Sequence, residues 1–321
     1  MSKLALTIAC LDYDRVKPLM TRAVVPAGID LNILPYSADY SVWPMIRHQE
    51  FDVSEMTLAS YTVLCARGEA PFVGIPVFLA RTFTHAGLFV NTKSGIRQPS
   101  DLHGKRVASG QYLMTFASWM RGILQNDYGV DLSKIDWRTG RPEAPLNLPP
   151  QMKVSLLPEG KMLPDRLEAG EIDALIHPRI PDKFRNHDFI KPMFPNARQL
   201  EVEYFQKTGV FPILHLVVIK RELYEKHPWV ASSLMRAFVQ ARDICYRDLA
   251  ETLEGIRYTV PWLDAHVQDV RQQLGGADFW PYGLKRNRQT LEMYVRYMQQ
   301  QHFIEGPIAV EELFAANALE Y

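Results

Sequence analysis

Cysteine is scarce: Cys10, Cys65 and Cys245 are the three in 321 residues, far apart and without a C-x-x-C spacing. That pattern excludes a disulfide-stapled scaffold, argues against a structural zinc site, and sets the expectation of reduced thiols in a cytoplasmic compartment. Net charge is also missing. The 36 Lys+Arg balance 36 Asp+Glu to +0, so neither bulk nucleic acid nor an anionic membrane is expected as a partner. An uncharged run such as 107–120 is interrupted by Ser109, Gly110 and Gln111 and falls short of the roughly 18 to 20 apolar residues that cross a bilayer. No G-x-G-x-x-G opens a helix, no Walker lysine motif occurs, and no G-x-S-x-G elbow is present. Nucleotide cofactors and serine-hydrolase chemistry are therefore disfavoured. Internal repeats, low-complexity tracts and long charge blocks are absent as well.

What is present is ordinary globular material, 47% hydrophobic and 22% charged, at a length that suits about two domains. The first third alternates short apolar runs with helical patterns, the signature of an α/β fold. Residues 4–10 read as a buried first strand and not as a secretory core, because Lys3 alone precedes them and Asp12, Asp14 and Arg15 follow at once. Helices are expected over 38–48 and 57–66, and strands over 51–54 and 71–78. After Arg81 the pattern restarts, with strands at 87–91 and 106–109 and a helix to about Asp127 that carries Phe116, Met120, Ile123 and Leu124 on one stripe. Pro142, Pro145, Pro149 and Pro150 make 138–152 a loop. A strand over 153–157, a helix over 164–169 and a strand over 172–176 follow. Further on, 213–219 is an apolar run broken by one histidine, read as a strand buried on both faces. Pro228 suits the first turn of a long helix.

Several segments carry a family likeness. The stretches EFDVSEMTLASY (50–61), GIRQPSDLHGKRVA (95–108) and LEAGEIDALI (167–176) resemble the type II periplasmic-binding-protein fold. More specific are DYDRVKPL (12–19), PVFLARTFTH (76–85), TGVFPILH (208–215), EKHPWV (225–230) and DFWPYG (278–283). Together they resemble the 4,5-dihydroxyphthalate decarboxylase family nearly end to end. The resemblance implies an α/β, two-lobe, periplasmic-binding-protein-like (type II) fold with an interlobe cleft. The first lobe is expected to be discontinuous, 1–86 plus 208–321, and the second to span 87–207. It also implies a carboxy-lyase acting on a small aromatic carboxylate, with no cofactor. Two places depart from the family pattern: residues 110–116, and His177 where glycine is usual.

Decarboxylating a hydroxylated aromatic dicarboxylate needs a cationic anchor for the carboxylate that stays, a base near the phenol and an acid near the carbon that loses carbon dioxide. Arg81 and Arg179 are the first choices as anchors because each adjoins a strand end and a planar fork suits a carboxylate. Arg15, at the end of the first strand, is a third candidate, although Asp12 and Asp14 could simply neutralise it. His85 and His215 are the candidate proton carriers; His215 alone reads equally as a satisfied core histidine, and the resemblance tips it to the site. Glu55 is read at a strand-to-helix junction, where it could orient a histidine, accept a phenolic proton or serve only as a helix-dipole acid. Thr57, Ser60 and Tyr61 on one helix start, Tyr112 and Thr115 on another, and His177 complete the substrate-binding set. Trp280 and Tyr282 could wall the substrate ring, although a proline-containing aromatic loop reads first as packing. Glu55, His85, His177 and His215 could converge on a divalent ion, although no H-x-x-x-H or H-x-H spacing supports one, and metal-free chemistry is expected. A homo-oligomer is compatible with the pattern. The competing reading is a solute-binding protein that captures a small aromatic or heterocyclic anion without chemistry.

Overall fold

The computed structural model describes residues 3–143, 146, 148–149, 152–251 and 258–321. In chain order the first elements are β1 (Leu4–Ala9), α1 (Lys17–Met20), β2 (Ile29–Leu34), α2 (Ala38–His48), β3 (Val53–Thr57), α3 (Leu58–Ala66) and β4 (Phe72–Arg81). Then come β5 (Leu88–Asn91), β6 (Arg106–Ser109), α4 (Thr115–Tyr128), β7 (Asp136–Thr139), β8 (Val154–Leu156), α5 (Leu163–Glu168), β9 (Ala174–Ile176), β10 (Ile190–Pro192) and α6 (Ala197–Thr208). The last are β11 (Ile213–Lys220), α7 (Arg221–Lys226), α8 (Trp229–Glu251), α9 (Leu263–Gln273) and α10 (Leu284–Gln300).

The chain divides into two compact units. The first holds residues 1–81, 215–291 and 309–321, and the second holds 82–214 and 292–308. The expected boundaries at 86 and 208 thus fall at 81 and 215, and the assignment of all of 208–321 to the first lobe is corrected. The second half of α10 belongs with α4, because the Tyr294 hydroxyl shares a 2.8 Å hydrogen bond with Ser118 and the Tyr297 ring lies where a Cβ on Gly122 would stand.

The first unit's sheet has the order β2-β1-β3-β11-β4. β1 pairs in parallel with β2 and β3, and β11 runs antiparallel to β3. β2 was not marked in the sequence; its alternation Ile29-Asp30-Leu31-Asn32-Ile33 is that of an edge strand with one wet face. The core is built on the apolar runs of β4 and β11, where Leu216 to Ile219 are fully buried while Leu214 and His215 are not. α3 is buried from Leu58 to Leu64. Its Tyr61 hydroxyl donates to the Leu313 carbonyl at 2.8 Å and accepts the Gly74 N–H at 2.7 Å. Tyr61→Phe should therefore cost about 1–3 kcal/mol of stability, by stranding a buried donor and acceptor, with no change in ligand affinity; a urea titration beside a binding measurement checks this.

The second unit's sheet has the order β10-β5-β9-β6-β7-β8. β5 pairs antiparallel with β9 and β10, and the β9-β6-β7-β8 run is parallel. The expected loop over 138–152 begins as the end of β7, and its residues 144–145, 147 and 150–151, Pro145 and Pro150 among them, lie outside the described residues.

Candidate active site

In the first unit, β1 and β3 are parallel neighbours, and the chain leaves β1 toward β2 on one side and β3 toward β4 on the other. At such a switch point the connections diverge and open a crevice outside the carboxyl ends of the strands. Three segments meet there: the loop 10–16 after β1, Glu55 and Thr57 of β3, and His215 of β11, which pairs in register with Thr57. Glu55 therefore sits within a strand, and the helix-dipole reading of it is withdrawn.

Glu55 is fully buried and saturated with donors. Its Oε1 accepts from His215 Nδ1 at 2.7 Å and from the Tyr13 hydroxyl at 2.7 Å, while Oε2 accepts the Leu11 N–H at 3.2 Å. Burial by itself would raise this carboxyl's pKa, but the His215 bond and charge, the Tyr13 bond and the Leu11 amide outweigh it and hold the pKa below the usual carboxylate range. An ionised Glu55 requires the proton on His215 Nδ1, which leaves Nε2 as the ring's working edge. His215's side chain is 19% exposed, and Nε2 has no protein partner among the described residues.

The folded-state pKa of Glu55 is depressed, so its contribution to stability is present above the ordinary carboxylate range and is lost as pH falls through the folded value. Glu55→Gln should accordingly flatten the acid side of the Tm-against-pH curve; an unchanged slope would contradict this assignment.

Arg15 lies beside the pair. Its guanidinium carbon is 4.2 Å from the centroid of the Tyr13 ring and 4.2 Å from that of Trp280. The Trp280 indole is itself fixed by donating to the Phe78 carbonyl at 2.8 Å. Arg15 donates to the Leu79 carbonyl and to Asp14, yet its buried Nε–H meets no acceptor among the described residues. The guanidinium is thus a cation held between two rings, only 12% exposed, with one donor to spare, features that suit the recognition of an anion. Thr57, whose backbone is the N-cap of α3, makes no capping bond, and its buried Oγ1 also lacks a partner among the described residues.

Arg81, a first choice as anchor, is corrected. It is 7% exposed, donates to Asn287, and lies near Tyr246, Tyr282 and Asp278. Burial pulls its pKa down to about 9, against the upward pull of Tyr246, Tyr282 and Asp278. Ser60 is 5% exposed and Tyr61 is spent on the Gly74 and Leu313 contacts, so neither helix-start residue faces a ligand.

The chain matches no protein-family model. A curated relative, the 4,5-dihydroxyphthalate decarboxylase of Comamonas testosteroni, is 32% identical over 328 residues, covering 100% of this chain and 99% of that protein. The chain belongs to the 4,5-dihydroxyphthalate decarboxylase family. A second relative so named, from Pseudomonas putida, is 35% identical over 191 residues, 57% of this chain and 74% of its own. Among solved structures, the periplasmic aliphatic sulphonate binding protein SsuA of Escherichia coli aligns with a TM-score of 0.54 at 13% identity over 100% of both chains. The desulfurization enzyme DszB aligns at 0.52 and 15%, covering 99% of this chain and 98% of its own. These likenesses show the periplasmic-binding-protein-like fold. One is a binding protein and the other an enzyme, so the fold alone does not choose between them.

Among the second-unit candidates of this decarboxylase-family chain, His85, Tyr112 and Thr115 are buried, while His177 and Arg179 follow the end of β9. His85 is 2% exposed, ringed edge-on by Tyr128, Phe194 and Tyr204, and burial lowers its pKa to about 4. It is a neutral histidine sealed in an aromatic cage, and its proposed catalytic role is withdrawn. Tyr112 is likewise packing, its ring 3.8 Å beneath the Arg121 guanidinium carbon. The Tyr112 and Leu113 amides are taken by the Glu143 carboxylate. Thr115 is buried and hydrogen-bonded to Tyr294. His177 and Arg179 form an exposed turn, with the Arg179 carbonyl 2.6 Å from His177 Nδ1. Among the described residues no three His, Cys, Asp or Glu side chains gather as a metal would require, and Glu55, His85, His177 and His215 form no such set. Nor is any described helix long and apolar enough to cross a membrane.

Tyr13 is the residue that sequence reasoning missed, and Trp280 the one it ranked first as packing. Tyr13 lies inside DYDRVKPL, where the neighbouring charges drew attention instead, and Trp280 lies in the proline-containing aromatic loop.

Proposed function

We propose that this chain decarboxylates 4,5-dihydroxyphthalate to 3,4-dihydroxybenzoate and carbon dioxide in the breakdown of phthalates, without a cofactor. The observation that carries the reading is the buried, ionised Glu55 holding His215 by Nδ1, with Nε2 left without a protein partner among the described residues and the Arg15 cation on the ring of Tyr13, whose hydroxyl bonds the same carboxylate. Family membership supports the substrate class, and the three free thiols suit a cytoplasmic setting.

The chemistry follows from the ring. The hydroxyl para to the departing carboxylate gives its proton to solvent water and pushes an electron pair toward the carbon that bears the carboxylate. His215, protonated at Nε2, delivers a proton to that carbon. The carbon–carboxylate bond then breaks, its electron pair restores aromaticity, and carbon dioxide leaves neutral. The phenolate regains its proton, so one proton is consumed per turnover. Glu55, saturated with donors, stabilises the imidazolium and fixes its tautomer; it is not the base for the phenol. Arg15 anchors the carboxylate that stays, with the Thr57 hydroxyl as a second donor. No electron sink beyond the ring is required.

Incubating purified protein with 4,5-dihydroxyphthalate should yield equimolar 3,4-dihydroxybenzoate and carbon dioxide. Tight binding with no carbon dioxide from any hydroxyphthalate would overturn the enzyme in favour of a solute-binding protein.

A further inference from the structure

Resting on that reading, we propose that Tyr13 is a positioning residue that ties the anion anchor Arg15 to the proton-carrying Glu55–His215 pair. Tyr13 uses both parts of its side chain at once. The hydroxyl donates to Glu55 Oε1, the same oxygen that accepts from His215 Nδ1. The ring face carries the Arg15 guanidinium, two residues on, at 4.2 Å. Its backbone is equally committed: the Tyr13 N–H donates to the Leu11 carbonyl at 2.9 Å, and the Tyr13 carbonyl accepts from both Val16 and Lys17 at 2.9 Å. The same turn presents the Leu11 N–H to Glu55 Oε2. One tight turn thus sets the carboxylate, the imidazole and the guanidinium with respect to each other.

Burial, and then Glu55, raise the phenol's pKa above its ordinary value, so Tyr13 stays a donor throughout the working range. The other groups facing Glu55 are His215 from β11 and, from the loop after β1, the buried Cys10 with Arg15 and Asp12 beyond it. The Cys10 thiol is also pushed up, first by burial and then by Glu55. It makes no hydrogen bond to Glu55 among the described residues, so Tyr13 is the side-chain donor from this turn to Glu55.

Two substitutions separate the hydroxyl from the ring. Tyr13→Phe keeps the face for Arg15 and removes one donor from Glu55; Tyr13→Leu removes both. Without substrate, the Glu55 carboxyl carbon, followed by NMR in ¹³C-glutamate protein, should titrate about one pH unit higher in Tyr13→Phe than in wild type. The Arg15 Nε–H should exchange with solvent faster in Tyr13→Leu and as in wild type in Tyr13→Phe. With substrate, Tyr13→Phe should lower kcat about tenfold at nearly constant KM and move the acid limb of the kcat/KM profile to higher pH. Tyr13→Leu should raise KM as well, by several-fold to about tenfold. Should Tyr13→Phe fail to fold, 3-fluorotyrosine placed at position 13, a stronger donor, should move the Glu55 titration lower. A Glu55 titration identical in wild type and either modified protein, or equal Arg15 exchange in all three, overturns the proposal. Both ligand-free readouts stand even where no hydroxyphthalate is turned over, so the two failures are distinguishable.

Discussion

His215→Asn should lower kcat about 10²- to 10⁴-fold, the range for losing a positioned proton carrier, while thermal unfolding stays close to wild type. The choice of asparagine matters. Removing every partner from a fully buried carboxylate strands its charge, at a cost of about 3–5 kcal/mol. An asparagine amide can still donate to Glu55, as His215 Nδ1 now does at 2.7 Å. What asparagine lacks is a nitrogen that takes and gives a proton near neutral pH. His215 is partly open and its strand neighbours Leu216 to Ile219 carry the packing, so the strand should survive. Stopped-flow turnover and calorimetry on the same preparation read both halves. Loss of folding with the chemistry unassessable by turnover would mark His215 as a core histidine, and unchanged kcat would remove it from the reaction.

Arg15→Lys should raise KM about 10- to 100-fold, equivalent to losing roughly 1–3 kcal/mol of charged hydrogen bonding. A lysine keeps the charge but not the plane. It cannot lie flat between Tyr13 and Trp280, each 4.2 Å from the guanidinium carbon, and it cannot offer two parallel donors to a carboxylate. Because the anchor holds the carboxylate that stays, kcat should fall less than affinity. Arg81→Lys is the contrast. Buried against Asn287, Arg81 should cost stability when replaced and leave KM within about twofold. Steady-state kinetics of the two variants side by side test the assignment, and the opposite pattern would return the anchor to Arg81.

Much of the fold was legible in the sequence because its strands are apolar runs bounded by clear breaks. β4, β9 and β11 and the helices α2, α3 and α8 lie close to where period and composition place them. β2, whose alternation is clear but spans only a short edge strand, was not marked, and the pairing of the second half of α10 with α4 was not legible, since it depends on a hydroxyl and a glycine far apart in sequence.

The site was legible by residue type and less so by place. Glu55, His215, Arg15 and Thr57 meet because β1, β3 and β11 are sheet neighbours, an order that no local pattern encodes. His85 had the same chemistry on paper as His215. Their environments separate them: three aromatic rings enclose His85, whose Nδ1 stands 4.0 Å from the Glu201 carboxylate, whereas Glu55 bonds His215 Nδ1 at 2.7 Å and Nε2 has no protein partner among the described residues. Arg81 and Arg15 differ in the same way, one enclosed and the other stacked at the crevice. Tyr13 escaped notice because its role needs a partner 42 residues away.

The most direct test of the central claim is decarboxylation of carboxyl-¹³C-labelled 4,5-dihydroxyphthalate in D₂O by wild type and His215→Asn, followed by NMR. Wild type should release one labelled carbon dioxide per molecule of 3,4-dihydroxybenzoate and leave one deuterium on the vacated ring carbon, while His215→Asn binds the substrate and leaves it intact. Intact substrate with wild type, or equal release from both proteins, would contradict the account.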